Sequence, residues 1–186
     1  MAYQYPILLL LLGLRTWELI ASWVRFRKEQ RETPGTELQD LFPLQEIIYL
    51  LWMATVWMEV ALTKPLFNPW LVLLMLVLWS ATLALRLWSA LALGDQWNLF
   101  LIVRKIQTIC ITGPYQYIRH PASLALWLEV IVVSLLVSAP VSALIGGVAH
   151  LWLTLARIRV EEAYLVTCKG YTQSFDQKKK WIPGVY

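Results

Sequence analysis

Five apolar stretches, each near the length of a bilayer-crossing helix, alternate along this chain with short segments that carry most of its charge. They cover residues 5–24, 44–63, 69–93, 121–137 and 141–155. A helix needs about 20 mostly apolar residues to cross the roughly 30 Å hydrocarbon core, where the backbone must satisfy its own hydrogen bonds. The alternation predicts an all-α integral membrane protein with five transmembrane helices, since a barrel would show period-2 strands of about ten residues. The last two runs are short and separated only by Ser138-Ala139-Pro140, which predicts a C-terminal helical hairpin. Of 186 residues 59% are hydrophobic and 15% charged, with a mean hydropathy of +0.57, well beyond what a soluble domain needs.

No positive residue precedes the first run, no small-residue cleavage site follows it, and Arg15 and Glu18 lie within it. The expectation is a retained span rather than a cleaved signal. Eleven Trp and eight Tyr suit interfacial belts and helix packing. Cys110 and Cys168 are far apart and make no metal-ligand pattern, so no metal is expected.

Lys and Arg flank the runs unevenly. Arg25, Arg27, Lys28 and Arg31 follow the first, Arg104, Lys105 and Arg119 precede the fourth, and the tail holds Arg157, Arg159, Lys169 and Lys178-Lys179-Lys180. The opposite loops hold only Lys64. The positive-inside rule then puts the N-terminus outside and the tail in the cytosol, across a bacterial inner membrane or the endoplasmic reticulum. The basic balance reflects topology and contact with anionic lipid, and no nucleic-acid-binding signature accompanies it. Residues 1–93 form a three-helix half. Residues 94–186 carry the hairpin and the two largest cytosolic segments, which the hairpin draws together within a single membrane domain.

Ionisable side chains within apolar runs are costly and point to function or to a partner. Arg15 and Glu18 share a face and suit a pair. Glu59 lies near the outer end of span two, Arg86 lies where its stem can snorkel to the interface, and Glu129 lies midway along span four. His150, Arg157 and Glu161, spaced seven and four apart, fall within about 40° on one face, with Glu162 about 100° away. The bland alternatives are a helix-surface ion pair for Arg157 and Glu161 and a packed histidine for His150. In Gly113-Pro114-Tyr115-Gln116-Tyr117-Ile118-Arg119-His120-Pro121, Gly-Pro forces a turn and Pro121 suits a helix's first position. Arg119 and His120 then stand at a helix N-terminus, a place that favours a carboxylate or phosphate.

The stretch Gly113-Pro114-Tyr115…Arg119-His120-Pro121, then Arg157-Ile158-Arg159-Val160-Glu161-Glu162-Ala163-Tyr164-Leu165, Gly170-Tyr171 and Trp181-Ile182-Pro183-Gly184, resembles the isoprenylcysteine carboxyl methyltransferase family, within the wider group that includes phospholipid methyltransferases. The likeness covers roughly residues 94–186. The first half, through Leu14-Arg15-Thr16-Trp17-Glu18-Leu19, Glu59 and Leu93-Gly94-Asp95-Gln96-Trp97, is similar to a bacterial branch associated with alkylpyrone or phenolic-lipid methylation. Two positions depart from the pattern: Gln45-Glu46 stand where that branch has a histidine, and Ser123 where the family has an aromatic.

The resemblance implies transfer of a methyl group from S-adenosylmethionine to a lipidic acceptor, either a prenylcysteine-type carboxylate or an alkylpyrone or phenolic hydroxyl. By position it implies that Gln107, Thr108, Ile109, Cys110 and Tyr115 grip the adenosine side and that His120, Pro121, Ala122 and Ser123 meet the methionine carboxylate. Glu161 would bind the cofactor's amino or ribose groups and Arg157 would sit beside the acceptor, these two being the catalytic pair. Glu129 is placed to line the acceptor tunnel. Such chemistry needs alignment more than a strong base, and a guanidinium can orient an anionic acceptor. Three other readings compete. Phospholipid N-methylation needs an acidic site for an ammonium, which Arg157 opposes. A sterol-type reductase shares a related Arg-His-Pro and Ile-Pro-Gly ending but usually has more spans. A non-enzymatic membrane scaffold remains compatible with Ser123.

Overall fold

The structure, a computed structural model, describes residues 3–32, 37–38, 41–63, 68–98, 102–103 and 110–166. Five helices follow in chain order: α1 (Gln4–Glu32), α2 (Leu41–Leu62), α3 (Pro69–Leu93), α4 (Pro121–Leu136) and α5 (Pro140–Leu165). Four are long and apolar enough to cross a membrane, and α4 is a shorter apolar helix of 16 residues, about 24 Å. The fold is thus the expected all-α, multi-pass membrane architecture. One local element was not foreseen: β1 (Glu37–Leu38) pairs antiparallel with β2 (Ile102–Val103), joining the α1–α2 and α3–α4 connections.

Helix starts follow local chemistry. Asn68 Oδ1 accepts from Trp70 N at 3.1 Å and Leu71 N at 3.3 Å, with Pro69 at the first position of α3. The hairpin turn puts Ser138 at φ 63° and returns Ala139 N to Ser134 O at 2.7 Å. The first turn of α5 is capped from another helix. Glu59 of α2 accepts from Val141 N at 3.0 Å, Ser142 N at 2.7 Å and Ser142 Oγ at 2.7 Å. A carboxylate there also complements the positive end of the helix. Glu59 is therefore a structural pin.

The core forms where α2 and α3 meet the hairpin. Trp52 of α2 donates from Nε1 to Ser134 Oγ of α4 at 2.9 Å and meets α5 at Gly146. A Cβ at Gly146 would fall 2.2 Å from Trp52 Cδ1, so only glycine admits this approach. Val56, Val133, Leu136 and Val137 are fully buried around it, while Leu62, Trp70, Leu91 and Leu144 stand exposed on the outer surface, as lipid-facing residues do.

A charged layer ties four helices together. Arg15 (α1) pairs with Glu46 (α2) and lies 3.8 Å from Glu18, and Arg86 (α3) pairs with both Glu18 (α1) and Glu129 (α4). Arg86 thus does not snorkel, contrary to the sequence expectation. Inward carboxylates from two helices offer it charge-assisted bonds in a low-dielectric setting, which outweigh those of interfacial water. Up-down alternation brings the C-terminal ends of α1, α3 and α5 and the N-terminal ends of α2 and α4 to one end of the bundle. There Arg25 donates to Trp97 O at 3.0 Å and stacks over the Trp97 ring, and Asn98 Nδ2 donates to Ser22 O at 3.2 Å.

Candidate active site

The site is built where the N-terminal end of α4 meets the polar extension of α5. Gly113 adopts φ 59°, a left-handed conformation, and an added Cβ would meet Ala92 Cβ at 2.8 Å. The Gly-Pro turn therefore packs directly on α3, where Cys110 Sγ also reaches Ala92 O at 3.2 Å. That packing buries Pro114 and Tyr115 and aims the following residues at α4. Pro121 opens α4, and His120 occupies its N-cap position.

α5 continues past its apolar stretch to Leu165 with Ile158 buried, so Arg157, Glu161 and Glu162 stand on one continuous rod. His120 sits between the two carboxylates: Nδ1 lies 3.6 Å from Glu161 and Nε2 lies 3.4 Å from Glu162. Arg119 Nη1 reaches the same Glu162 oxygen at 3.4 Å. Burial disfavours a charged imidazole, but the hydrogen bonds and charges of Glu161 and Glu162 outweigh it and hold His120 above the ordinary imidazole range. Burial, reinforced by the Glu161 charge, pushes the Tyr115 phenol up, which keeps it neutral. Arg157 Nη1 donates to Gln45 Oε1 of α2 at 2.8 Å, and its charge and that of Glu161 act on each other across one turn of α5.

Tyr115, His120, Pro121, Arg157 and Glu161 thus converge, with Cys110 at the edge on the α3 side. Ala122 and Ser123 form the first turn of α4, and Ser123 lines a small hollow together with Arg157. Gln107, Thr108 and Ile109 lie outside the described residues, as do 167–186, which hold Gly170-Tyr171 and the closing Trp-Ile-Pro-Gly. Glu129 is not brought to this cluster. It is buried lower in α4, accepting from Arg86 and from Trp79 Nε1 at 3.4 Å. Two participants escaped sequence reasoning. Glu162, projected 100° from Glu161, touches the opposite nitrogen of the same imidazole, since a ring lodged against the helix spans that arc. Gln45 was visible only as a departure from a pattern. Among the described residues no group of three or more His, Cys, Asp or Glu is placed to hold a metal ion.

A family model described as the isoprenylcysteine carboxyl methyltransferase (ICMT) family matches residues 73–167, just over half of the chain, which takes in Cys110, Tyr115, His120, Arg157, Glu161 and Glu162 but not Gln45. The chain belongs to the ICMT family. Among solved structures, the eukaryotic intramembrane Ras methyltransferase ICMT is similar with a TM-score of 0.59 at 20% identity, over 93% of this chain and 53% of that one. That likeness shows the ICMT membrane fold, and the chain spans about half the length of that protein. No curated protein sequence matches the chain significantly.

Proposed function

We propose that the protein is an S-adenosylmethionine-dependent O-methyltransferase acting on a lipidic acceptor at the basic, cytosolic membrane face. The observation that carries this reading is His120, held at the start of α4 between Glu161 and Glu162 of α5, with Arg157 one turn away. When bound, S-adenosylmethionine supplies a methyl group already activated on a sulfonium. The residues suit such a group: the imidazolium and the N-terminal end of α4 attract a carboxylate, and Glu161 and Glu162 complement an ammonium, a sulfonium or ribose hydroxyls. Buried, neutral Tyr115 excludes water from the same corner. Arg157 remains charged and orients an anionic oxygen, so the chain need supply only alignment and desolvation. A prenylcysteine-type carboxylate and an acidic alkylpyrone enol are ionised near neutral pH and fit Arg157, whereas a phenolic hydroxyl, neutral until about pH 10, has to lose its proton first. An aminophospholipid would meet it as a like charge. The helices give the acceptor's tail a path from the bilayer, and the N-terminal end of α1 lies on the opposite, outer side.

The test is calorimetric binding of S-adenosylhomocysteine, and separately of NADPH, to protein in nanodiscs, repeated with Glu161→Ala and His120→Ala. Binding of the homocysteine derivative, weakened in both variants, is the expected result. Binding of NADPH alone would replace the reading with a reductase.

A further inference from the structure

Between α2, α4 and α5 lies a hollow of about 20 Å³, lined by Gln45, Ser123, His150, Thr154 and Arg157, with Leu126 and Leu153 completing its wall. It admits one water-sized group. Gln45 Nε2 and His150 Nε2, both in its lining, are buried and have no hydrogen-bond partner among the described residues. These residues are only 6% and 2% exposed. The orientation of the amide follows from chemistry. Arg157 only donates, so the Gln45 atom facing it at 2.8 Å is the oxygen, and the NH₂ is left turned away from it. The His150 ring stands in edge-on contact with Tyr49 and Trp52, at centroid distances of 6.2 and 6.0 Å. Buried polar groups are normally paired, and a membrane interior has little water to pair them with.

We propose that this hollow is the seat for one oxygen of the acceptor's anionic head group, with Gln45 Nε2 and His150 Nε2 donating to it and Arg157 balancing its charge. This rests on the methyltransferase reading above and names the acceptor class that reading leaves open: an oxyanion with two oxygens, as in a carboxylate or a hydroxypyrone. His150 serves as its Nε2–H tautomer. Gln45 and His150 are positioning residues: one oxygen is seated, and the other is presented for reaction. In the reaction a sulfur–methyl bond breaks and an oxygen–methyl bond forms, the acceptor's negative charge cancels that of the sulfonium, and no proton has to move. An ammonium head in the same seat would meet two N–H donors and a guanidinium, which excludes amines.

The test uses the full chain in nanodiscs and two probes, tritiated N-acetyl-S-farnesylcysteine and a long-chain hydroxypyrone, by equilibrium binding without any methyl donor. S-adenosylhomocysteine binding is measured separately. The expected result is that at least one probe binds. Gln45→Leu and His150→Phe should each weaken it about tenfold or more, and Gln45→Glu, of equal size but with a carboxylate facing the anion, at least as much. S-adenosylhomocysteine affinity should stay within twofold of wild type, a separation that a structural role would not produce. Unchanged probe affinity in variants that keep cofactor affinity would overturn the seat and leave the hollow to an ordered water. Equal weakening of both ligands would overturn it in favour of a structural role, and so would cofactor binding with no probe binding. Probe binding that depends on Gln45 and His150 without any S-adenosylhomocysteine binding would sustain the seat and sink the methyltransferase reading.

Discussion

Arg86→Leu is the sharpest perturbation of the fold. Arg86 is 14% exposed and holds Glu18, 17% exposed, and Glu129, 8% exposed. Its removal leaves three carboxylates of the charged layer with only Arg15 as a cation. Glu18 keeps Arg15 at 3.8 Å and Glu129 keeps the Trp79 indole at 3.4 Å, but neither contact replaces a guanidinium. Breaking a buried pair by deleting one partner costs about 3–5 kcal/mol. That is a fall of roughly 10 °C in the thermal transition for a chain of this size. The assay is the thermal transition in nanodiscs for wild type, Arg86→Leu, Glu129→Gln and the double variant. The double should recover a large part of the loss, because the uncompensated charge is then removed with its partner. An Arg86→Leu transition within about 0.5 kcal/mol of wild type would refute the reasoning and return Arg86 to a solvated, snorkelling position.

Three further outcomes follow from the geometry. His120 has a raised pKa in the folded site, so the stabilisation it draws from Glu161 and Glu162 is full at acid pH and is lost as pH rises through that raised value. S-adenosylhomocysteine affinity and the thermal transition, scanned from about pH 6 to 9, should fall together, and His120→Ala should flatten that limb. Gly146→Ala places a Cβ 2.2 Å from Trp52 Cδ1, forcing Trp52 off Ser134; the expected cost is about 1–3 kcal/mol in thermal unfolding, against a gain of about 0.5–1 kcal/mol for Gly13→Ala in the interior of α1, whose added Cβ meets nothing. Glu59→Ala removes three hydrogen bonds from the start of α5 and should cost about 0.5–2 kcal/mol while leaving S-adenosylhomocysteine affinity unchanged, because it lies at the opposite end of the bundle.

The helices were legible because hydropathy and Pro each act locally. Pro69 and Pro121 open helices where the sequence places them, Pro140 opens α5 one residue ahead of the expected run, and the hairpin turn falls at Ser138 as the spacing requires. Much of the candidate site was legible for a different reason, since Gly113, His120, Arg157 and Glu161 stand in the order of the family resemblance along the chain. What stayed hidden depends on which helix faces which. Arg86 looked like an interfacial residue until Glu18 and Glu129 were seen to converge on it from two other helices. Arg15 and Glu18 do share a face, yet each finds its nearer partner on another helix. Glu46, adjacent to Gln45, pairs with Arg15 while Gln45 turns to Arg157, a division that no periodicity announces. Glu162 needed the width of an imidazole rather than the angle of a helix wheel.

The proposed reaction at His120, Arg157 and Glu161 is transfer of a methyl group to a lipid oxyanion. The direct measurement supplies the protein in nanodiscs with S-adenosylmethionine labelled in its methyl group and with total membrane lipid, N-acetyl-S-farnesylcysteine or a long-chain hydroxypyrone, and counts label in the organic phase. The expected result is organic-soluble label in a base-labile ester or an aryl or enol ether, reduced at least a hundredfold by Arg157→Leu and by Glu161→Ala. Label on an amine, or transfer that survives both substitutions, would contradict it.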